Sequence, residues 1–171
     1  MNKIEKKDIN DVLQLSESTG HLVKIAHRLY QRLLSKELFS QGVKLSHWHF
    51  LRYLWEEDGI TQRKLSQCVL IQETTAVAVL REMEKDGLIE RKKSEKDGRK
   101  VLVFLTQKAK KLMLKFIPKA DEVNYCGISD FSDKEIQQYK NLTRRIIKNL
   151  EGKVGESGKI GLMSIGVIPS K

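Results

Sequence analysis

The spacing of apolar residues changes abruptly at Gly87, and this change limits the folds open to the chain. Over residues 72–86 the apolar side chains recur every three or four residues, which predicts one buried face of an α-helix that ends at a Gly87 cap. The residues of that face are Ala76, Val79, Leu80 and Met83. Residues 88–93 and 100–105 are typical of two strands, joined by a polar turn with glycine. The sequence therefore predicts a helix followed directly by a β-hairpin.

A shorter helix is predicted just before this unit. Thr61 is placed to cap it, Leu65 and Cys68 point inward, and a tight turn at residues 69–71 follows. Two short helices and a hairpin in this order make a winged helix-turn-helix, in which the second helix fits the major groove of DNA. The charge agrees, because residues 61–111 hold 13 Lys and Arg against 7 Asp and Glu and so supply +6 of the net charge of +10.

Longer amphipathic helices are predicted before this unit. One covers residues 18–39, and a second is capped by Ser46 and runs to about residue 58. The fold class is therefore mainly α with a small β-hairpin wing, a winged helix-turn-helix flanked by further helices.

Two more helices are predicted after the hairpin. Thr106 caps the first, in which Pro118 is expected to cause a kink or a break. Ser132 and Glu135 form a capping box at the start of the second, which reaches Leu150. The glycine-rich residues 152–171 are expected to form a flexible tail.

The composition excludes several classes of protein. Hydrophobic residues make up 40% of the chain, too many for a disordered basic tail, and no apolar run is long enough to span a membrane. The charged start has no apolar stretch of the kind that a secretory signal needs, so a cytoplasmic protein is expected. Cys68 and Cys126 belong to no metal-binding cluster, and we expect neither a metal nor another cofactor.

Several motifs resemble those of the MarR family of bacterial regulators. They are Thr61-Gln62 with Leu65, then Leu80, Met83-Glu84-Lys85-Asp86-Gly87-Leu88-Ile89, Arg91, and Asp97-Gly98-Arg99-Lys100 before Leu105-Thr106. The resemblance covers residues 22–150, and its last motif matches the Asp-x-Arg-Arg wing of the family with lysine in the final place. At Val77 and Ala78 the chain departs from the Thr and Arg of many members.

The resemblance implies a homodimer that binds a pseudo-palindromic operator in double-stranded DNA, most often as a repressor. Residues 1–41 and 107–151 would hold the dimer together, and residues 42–106 would form the DNA-binding domain. Arg99 would enter the minor groove with Asp97 orienting it, and the exposed lysines would set the affinity or simply be solvated. The DNA-binding candidates are Thr61, Gln72, Thr74, Thr75, Ala78, Arg81, Lys92, Lys96, Asp97, Arg99 and Lys100.

Members of the family often bind a small acid beside the dimer helices, which points to release by an aromatic or anionic ligand. The candidates on the second helix are His47, Trp48, His49, Arg52 and Tyr53, which could equally be packing residues. An enzyme is not expected, because the sequence has no nucleophile elbow, phosphate-cradling loop or paired carboxylates in an apolar setting. The remaining alternative is a basic winged-helix interaction scaffold without specific DNA readout.

Overall fold

The computed structural model describes residues 14–40 and 42–154, which form six helices and three strands. In chain order these are α1 (Thr19–Phe39), α2 (Leu45–Glu56), β1 (Ile60–Thr61), α3 (Gln62–Val69), α4 (Glu73–Lys85), β2 (Ile89–Lys93), β3 (Val101–Leu105), α5 (Gln107–Cys126) and α6 (Asp133–Val154). The fold is mainly α with one small sheet, which confirms the predicted class. None of the described helices combines the length and apolar character needed to cross a bilayer.

The helix ends follow local capping groups that the sequence identifies. The hydroxyls of Thr61 and Thr106 accept the backbone N–H three residues later, at 3.1 and 3.2 Å. Gly87 has a φ of +67°, as a glycine just beyond a helix end requires. The backbone N–H of Ser132 donates to the Glu135 carboxylate at 2.9 Å, which completes the expected capping box.

The start of α2 differs from the prediction. Lys44 rather than Ser46 is the N-cap residue, and it forms no side-chain cap hydrogen bond. Its carbonyl instead accepts the N–H of Trp48 at 3.0 Å, which closes the first turn without a capping hydroxyl. The helix ends at Glu56 because Glu57 takes an extended conformation.

The helix does not break at Pro118, and the last helix extends further than expected. α5 continues through Pro118 to Cys126. The helix is kept although the proline, which has no N–H, leaves the carbonyl of Leu114 without its usual partner four residues later. α6 runs to Val154, so residues 152–154 are helical rather than part of a flexible tail. Residues 155–171 of the predicted tail lie outside the described residues.

The hairpin carries a third strand that the sequence did not reveal. β2 and β3 pair antiparallel from Ile89 opposite Leu105 to Lys93 opposite Val101. β1 pairs with the other edge of β3, and the sheet order is β1-β3-β2. A two-residue strand is too short for any periodicity to be seen in the sequence. β1 joins the hairpin to the segment that follows α2.

One hydrophobic core unites α2, α3, α4, the sheet and the first half of α5. Its largest fully buried members are Phe50, Phe116, Leu38, Leu51, Leu54, Leu65, Leu80, Met83, Ile89, Met113 and Val103. α1 contributes only its C-terminal half to this core, through buried Leu38 and partly buried Leu34, and residues 133–153 of α6 contribute no buried residue. The central unit is therefore packed within one chain, whereas α1 and α6 keep apolar surface exposed.

Gly59, between α2 and β1, lies against the ring of Phe104 on β3. Its φ is +76°, and a Cβ atom there would lie 2.6 Å from Cε1 of Phe104. We expect Gly59→Ala to lower the free energy of unfolding by about 2 kcal/mol, measured by chemical denaturation, because both the conformation and the space exclude a side chain. Gly98→Ala is the matched control, since nothing lies within 4 Å of a Cβ there. Equal stability of the two variants would contradict this account.

Candidate nucleic-acid interface

The turn between α3 and α4 sets the angle of the helix-turn-helix. Leu70 adopts a left-handed conformation with φ 62° and ψ 40°. Its N–H donates to the Gln67 carbonyl at 3.2 Å, and that of Ile71 donates to the Ser66 carbonyl at 3.1 Å. This pair of hydrogen bonds ends α3 abruptly, and only Ile71 and Gln72 separate Leu70 from the first residue of α4.

α4, called the recognition helix below, has one face in the core and one in solvent. Ala76, Leu80 and Met83 are fully buried. The sequence-predicted contacts Thr74, Thr75, Ala78 and Arg81 are all exposed, as is Gln72 at the N-cap position. Two small hydroxyl side chains, one methyl and one guanidinium therefore share the outward side of a helix whose inner side is tightly packed. Such a surface suits entry into the major groove.

An ion pair holds the flank of the recognition helix that faces the sheet. Glu84 accepts from Nε of Arg91 on β2 at 3.0 Å and from the backbone N–H of the same residue at 3.3 Å. Nη1 of Arg91 also donates to Gln62 at the start of α3, at 3.3 Å. Hydrogen bonding to Arg91 lowers the pKa of Glu84. One guanidinium thus connects α4, β2 and α3.

A second carboxylate holds the opposite flank. Oε2 of Glu82 lies 3.0 Å from Nε2 of His47 on α2, and its other oxygen pairs with Lys44. The hydrogen bonds from Lys44 and then His47 lower the pKa of Glu82. Since residues two apart on a helix point about 200° away from each other, Glu82 and Glu84 hold opposite sides of the same turn.

The tip of the hairpin is organised around Asp97. β2, β3 and the turn between them are called the wing. The Asp97 carboxylate accepts the backbone N–H of Arg99 at 3.2 Å and lies 3.2 Å from Nζ of Lys100. Together with the Arg99 side chain, these contacts lower the pKa of Asp97. The Arg99 side chain is 94% exposed, with Nε 3.3 Å from Asp97. The Arg99 guanidinium therefore projects into solvent, while Asp97 holds the backbone of Arg99 in place.

The remaining predicted contacts occupy the wing and the groove beside it. Nζ of Lys92 lies 5.6 Å from the ring centroid of Phe104 and forms an ion pair with Glu90. Lys96 is exposed. Thr61 is half-buried because its oxygen caps α3. The groove has a volume of about 330 Å³ and lies between the starts of α3 and α4 and the tip end of the wing. Its lining residues are Thr61, Gln62, Arg63, Glu73, Arg99, Lys100 and Val101.

Sequence reasoning missed the residues that position this surface. It did not assign a role to Glu82, Glu84 or Gln62, or to the exposed cation Arg63 in the groove. Arg63 directly follows the quoted Thr61-Gln62 motif, so its place in the first turn of a capped helix could have suggested a DNA contact. No comparable local signal exists for Glu82, because its partner His47 is 35 residues away.

A separate cavity of about 310 Å³ opens between α1, α2 and α5. Trp48, His49 and Arg52, three of the predicted ligand residues, line it. Tyr53 does not line it, and neither does His47, because α2 turns His47 toward the recognition helix. The other lining residues are His27, Tyr30, Gln31, Leu34, Ile117, Ala120, Asp121, Val123 and Asn124. Burial, and then the nearby His27, lower the pKa of His49.

Within residues 14–40 and 42–154, no group of three or more His, Cys, Asp or Glu side chains is arranged to hold a metal ion. The two cysteines are free thiols. Cys68 is buried in the core side of α3, as predicted, and burial raises the pKa of its thiol. Cys126 is exposed at the end of α5.

The helix-turn-helix, its exposed recognition helix and the basic wing define a DNA-binding protein of the winged-helix class. Comparison with known proteins narrows this class. Residues 43–101 match the model of the MarR family. The chain is 30% identical over 137 residues to the HTH-type transcriptional regulator BilQ of Clostridium symbiosum, covering 80% of this chain and 95% of BilQ. This chain belongs to the MarR family of transcriptional regulators.

Solved structures agree with this assignment. A MarR transcriptional regulator from Methanosarcina mazei Go1 superimposes with a TM-score of 0.71 at 29% identity, covering 76% of this chain and 94% of that one. MepR of S. aureus, crystallised as a complex with DNA, has a TM-score of 0.71 over 77% of this chain and 98% of its own. At 23% identity, the second likeness concerns the fold alone.

The ion pair between Glu84 and Arg91 makes a prediction about acid stability. Its hydrogen bonds place the pKa of Glu84 below the ordinary 4.5 in the folded chain. The stabilisation is therefore present above that value and is lost as the pH falls through the lowered pKa. We expect Glu84→Gln to melt at a lower temperature than the native protein near neutral pH, and the difference to shrink as acid is added. Glu122→Gln, at an exposed position on α5, is the control. A difference that stays constant down to strongly acidic pH would contradict the assignment.

Proposed function

We propose that this chain is a cytoplasmic homodimer that binds a pseudo-palindromic operator sequence-specifically and represses transcription until a small ligand releases it. The observation that carries the DNA-binding part is the outward side of the recognition helix next to a projecting wing arginine. Thr74, Thr75 and Arg81 are exposed there, and the side chain of Arg99 is 94% exposed.

Each element has a role that its chemistry suits. The recognition helix enters the major groove, where Thr74, Thr75 and Arg81 contact base edges or phosphates and Gln72 and Ala78 lie alongside. Arg99 enters the minor groove, whose narrow walls concentrate negative potential, and Asp97 orients it. The exposed lysines, together with Arg63, neutralise phosphates and so set the salt dependence of binding. These lysines are Lys92, Lys96 and Lys100.

The exposed apolar faces of α1 and α6 support the dimer. Leu22, Leu29 and Leu33 on α1 are each about half exposed or more, at 49%, 57% and 48%. On α6, Tyr139, Leu142, Ile146 and Leu150 are 43–61% exposed, and Phe131 just before the helix is 41% exposed. Such faces need a partner surface in water. We assign residues 1–41 and 107–151 to dimerisation and 42–106 to DNA binding, with half-sites about ten base pairs apart.

The cavity between α1, α2 and α5 supports the ligand part of the proposal. Its volume of about 310 Å³ suits a small molecule. Its lining holds both the indole of Trp48 and the guanidinium of Arg52, which also pairs with Glu56 one turn further along α2. An aromatic ring and a cation in one cavity suit an aromatic acid. α2 also contacts the recognition helix through His47. A ligand that shifts α2 would therefore act directly on the position of the recognition helix.

The wing provides the decisive test of DNA binding. The operator is first selected from random double-stranded DNA, and binding is then measured by fluorescence anisotropy over a range of salt. We expect Arg99→Ala to weaken operator binding about tenfold, because the minor-groove contact is lost. Light scattering should show two chains per particle for both proteins, since Arg99 belongs to the wing and not to the segments assigned to dimerisation.

Lys115→Ala, which removes an exposed cation from α5, is the matched control and should bind as the native protein does. Unchanged affinity of Arg99→Ala would remove the wing from the mechanism. Weak binding of the native protein to all sequences, abolished by salt, would favour the interaction scaffold instead.

The ligand site is tested with benzoate as a simple aromatic carboxylate. We expect millimolar benzoate to release the operator from the native protein, and Arg52→Gln to require about tenfold more, because the cation that faces the carboxylate is gone. Aniline, a neutral amine of similar size, controls for ring binding alone and should release little DNA. Release by aniline as readily as by benzoate would contradict a site for anions, and no release by either would contradict the cavity as the effector site.

A further inference from the structure

His47 is a buried imidazole that lies close to two carboxylates, one on the recognition helix and one at its C-cap. Its side chain is 2% exposed, although it sits on α2 between exposed Ser46 and the cavity-lining Trp48. Nε2 lies 3.0 Å from Oε2 of Glu82, and Nδ1 lies 3.8 Å from Oδ2 of Asp86. A carboxylate oxygen can only accept, so Nε2 carries the proton and donates it to Glu82.

This contact restrains rotation of the recognition helix about its own axis. On the opposite flank Glu84 is bound to Arg91 of β2, so the helix is held from two sides. The two restraints differ in exposure. The Arg91 side chain is 22% exposed, whereas the His47 side chain is almost fully buried and cannot move without disturbing the core. Of the two partners, His47 is therefore the more rigid reference point.

Recognition of base edges depends strongly on how accurately the recognition helix is oriented. Hydrogen bonds to base edges require donor and acceptor distances near 2.9 Å and good alignment, whereas phosphate contacts by long cations tolerate small rotations. A helix that rotates by several degrees therefore loses discrimination between sequences while it keeps most of its nonspecific affinity. Residues that fix its orientation influence specificity without contacting DNA.

We propose that His47 is a positioning residue for DNA readout, which sets the orientation of the recognition helix through its hydrogen bond to Glu82. This proposal rests on the proposed sequence-specific DNA binding. Lys44 occupies the outer oxygen of Glu82 and neutralises its charge, but its side chain is 58% exposed and so restrains the helix less. Asp86 lies beyond hydrogen-bond distance of His47 and contributes only its charge.

The test compares affinity for the selected operator with affinity for a scrambled duplex. His47→Phe fills the buried volume without a donor, and Glu82→Ala removes the acceptor from a side chain that is 42% exposed. We expect each change to lower operator affinity about tenfold and to leave affinity for the scrambled duplex unchanged. General destabilisation would lower both affinities equally, so the ratio of the two isolates positioning. The double variant should lose no more than either single one, because both remove the same interaction.

His47→Gln keeps an N–H donor near the place of Nε2 and should stay within about threefold of native specificity. Glu122→Ala removes a carboxylate from the exposed side of α5 and controls for the loss of charge. Should His47→Phe fail to fold, Glu82→Ala decides the outcome alone. An unchanged ratio, losses that multiply in the double variant, or no rescue by His47→Gln would each overturn the positioning role. A native protein without sequence preference would instead overturn the proposed function.

Discussion

The restraint of the recognition helix from both flanks is the interaction on which the rest of this structure depends. Buried Ala76, Leu80 and Met83 fix how deeply the helix sits in the core, but apolar packing alone is non-directional and tolerates small rotations. Glu82 and Glu84 add directional contacts to α2 and β2. Both carboxylates pair with cations, and the outward side presents two hydroxyls, a methyl and a guanidinium beside the exposed Glu73. This mixed surface lies next to the basic wing, which favours the approach of a polyanion.

The parts of this fold that were predictable from sequence are those governed by residues close together in the chain. Gly87, Thr106 and the Ser132 capping box act within one helical turn, so their residue types alone signal where helices end or begin. The same holds at the wing tip, where Asp97 binds the N–H of a residue only two positions later. The exposed side of α4 also follows from periodicity alone.

What escaped prediction depends on contacts between distant segments. β1 exists because Ile60 lies opposite Val103 across the sheet, not because of any local pattern. Ser46 has the right chemistry for a cap, but α2 starts one residue earlier, at Leu45, and residues 47 and 48 are buried within its first turn. His47 and Tyr53 share a helix with the cavity-lining Trp48, yet which face of α2 meets the cavity is decided by the placement of α1 and α5. Such placement is a tertiary property that a helical wheel does not contain.

α2 lies against both the recognition helix and the cavity, a connection that the sequence alone does not reveal. His47 touches the recognition helix, whereas the next residues, Trp48 and His49, line the cavity. A hydrogen bond of 3.0 Å is largely lost once its atoms separate beyond about 3.5 Å, so a displacement of α2 of only about 0.5 Å is enough to break the contact with Glu82. Close packing of the core transmits such a shift rather than absorbing it. The cavity and the DNA-facing surface therefore share one turn of α2, and a molecule that displaced this helix would act on the hydrogen bond between His47 and Glu82.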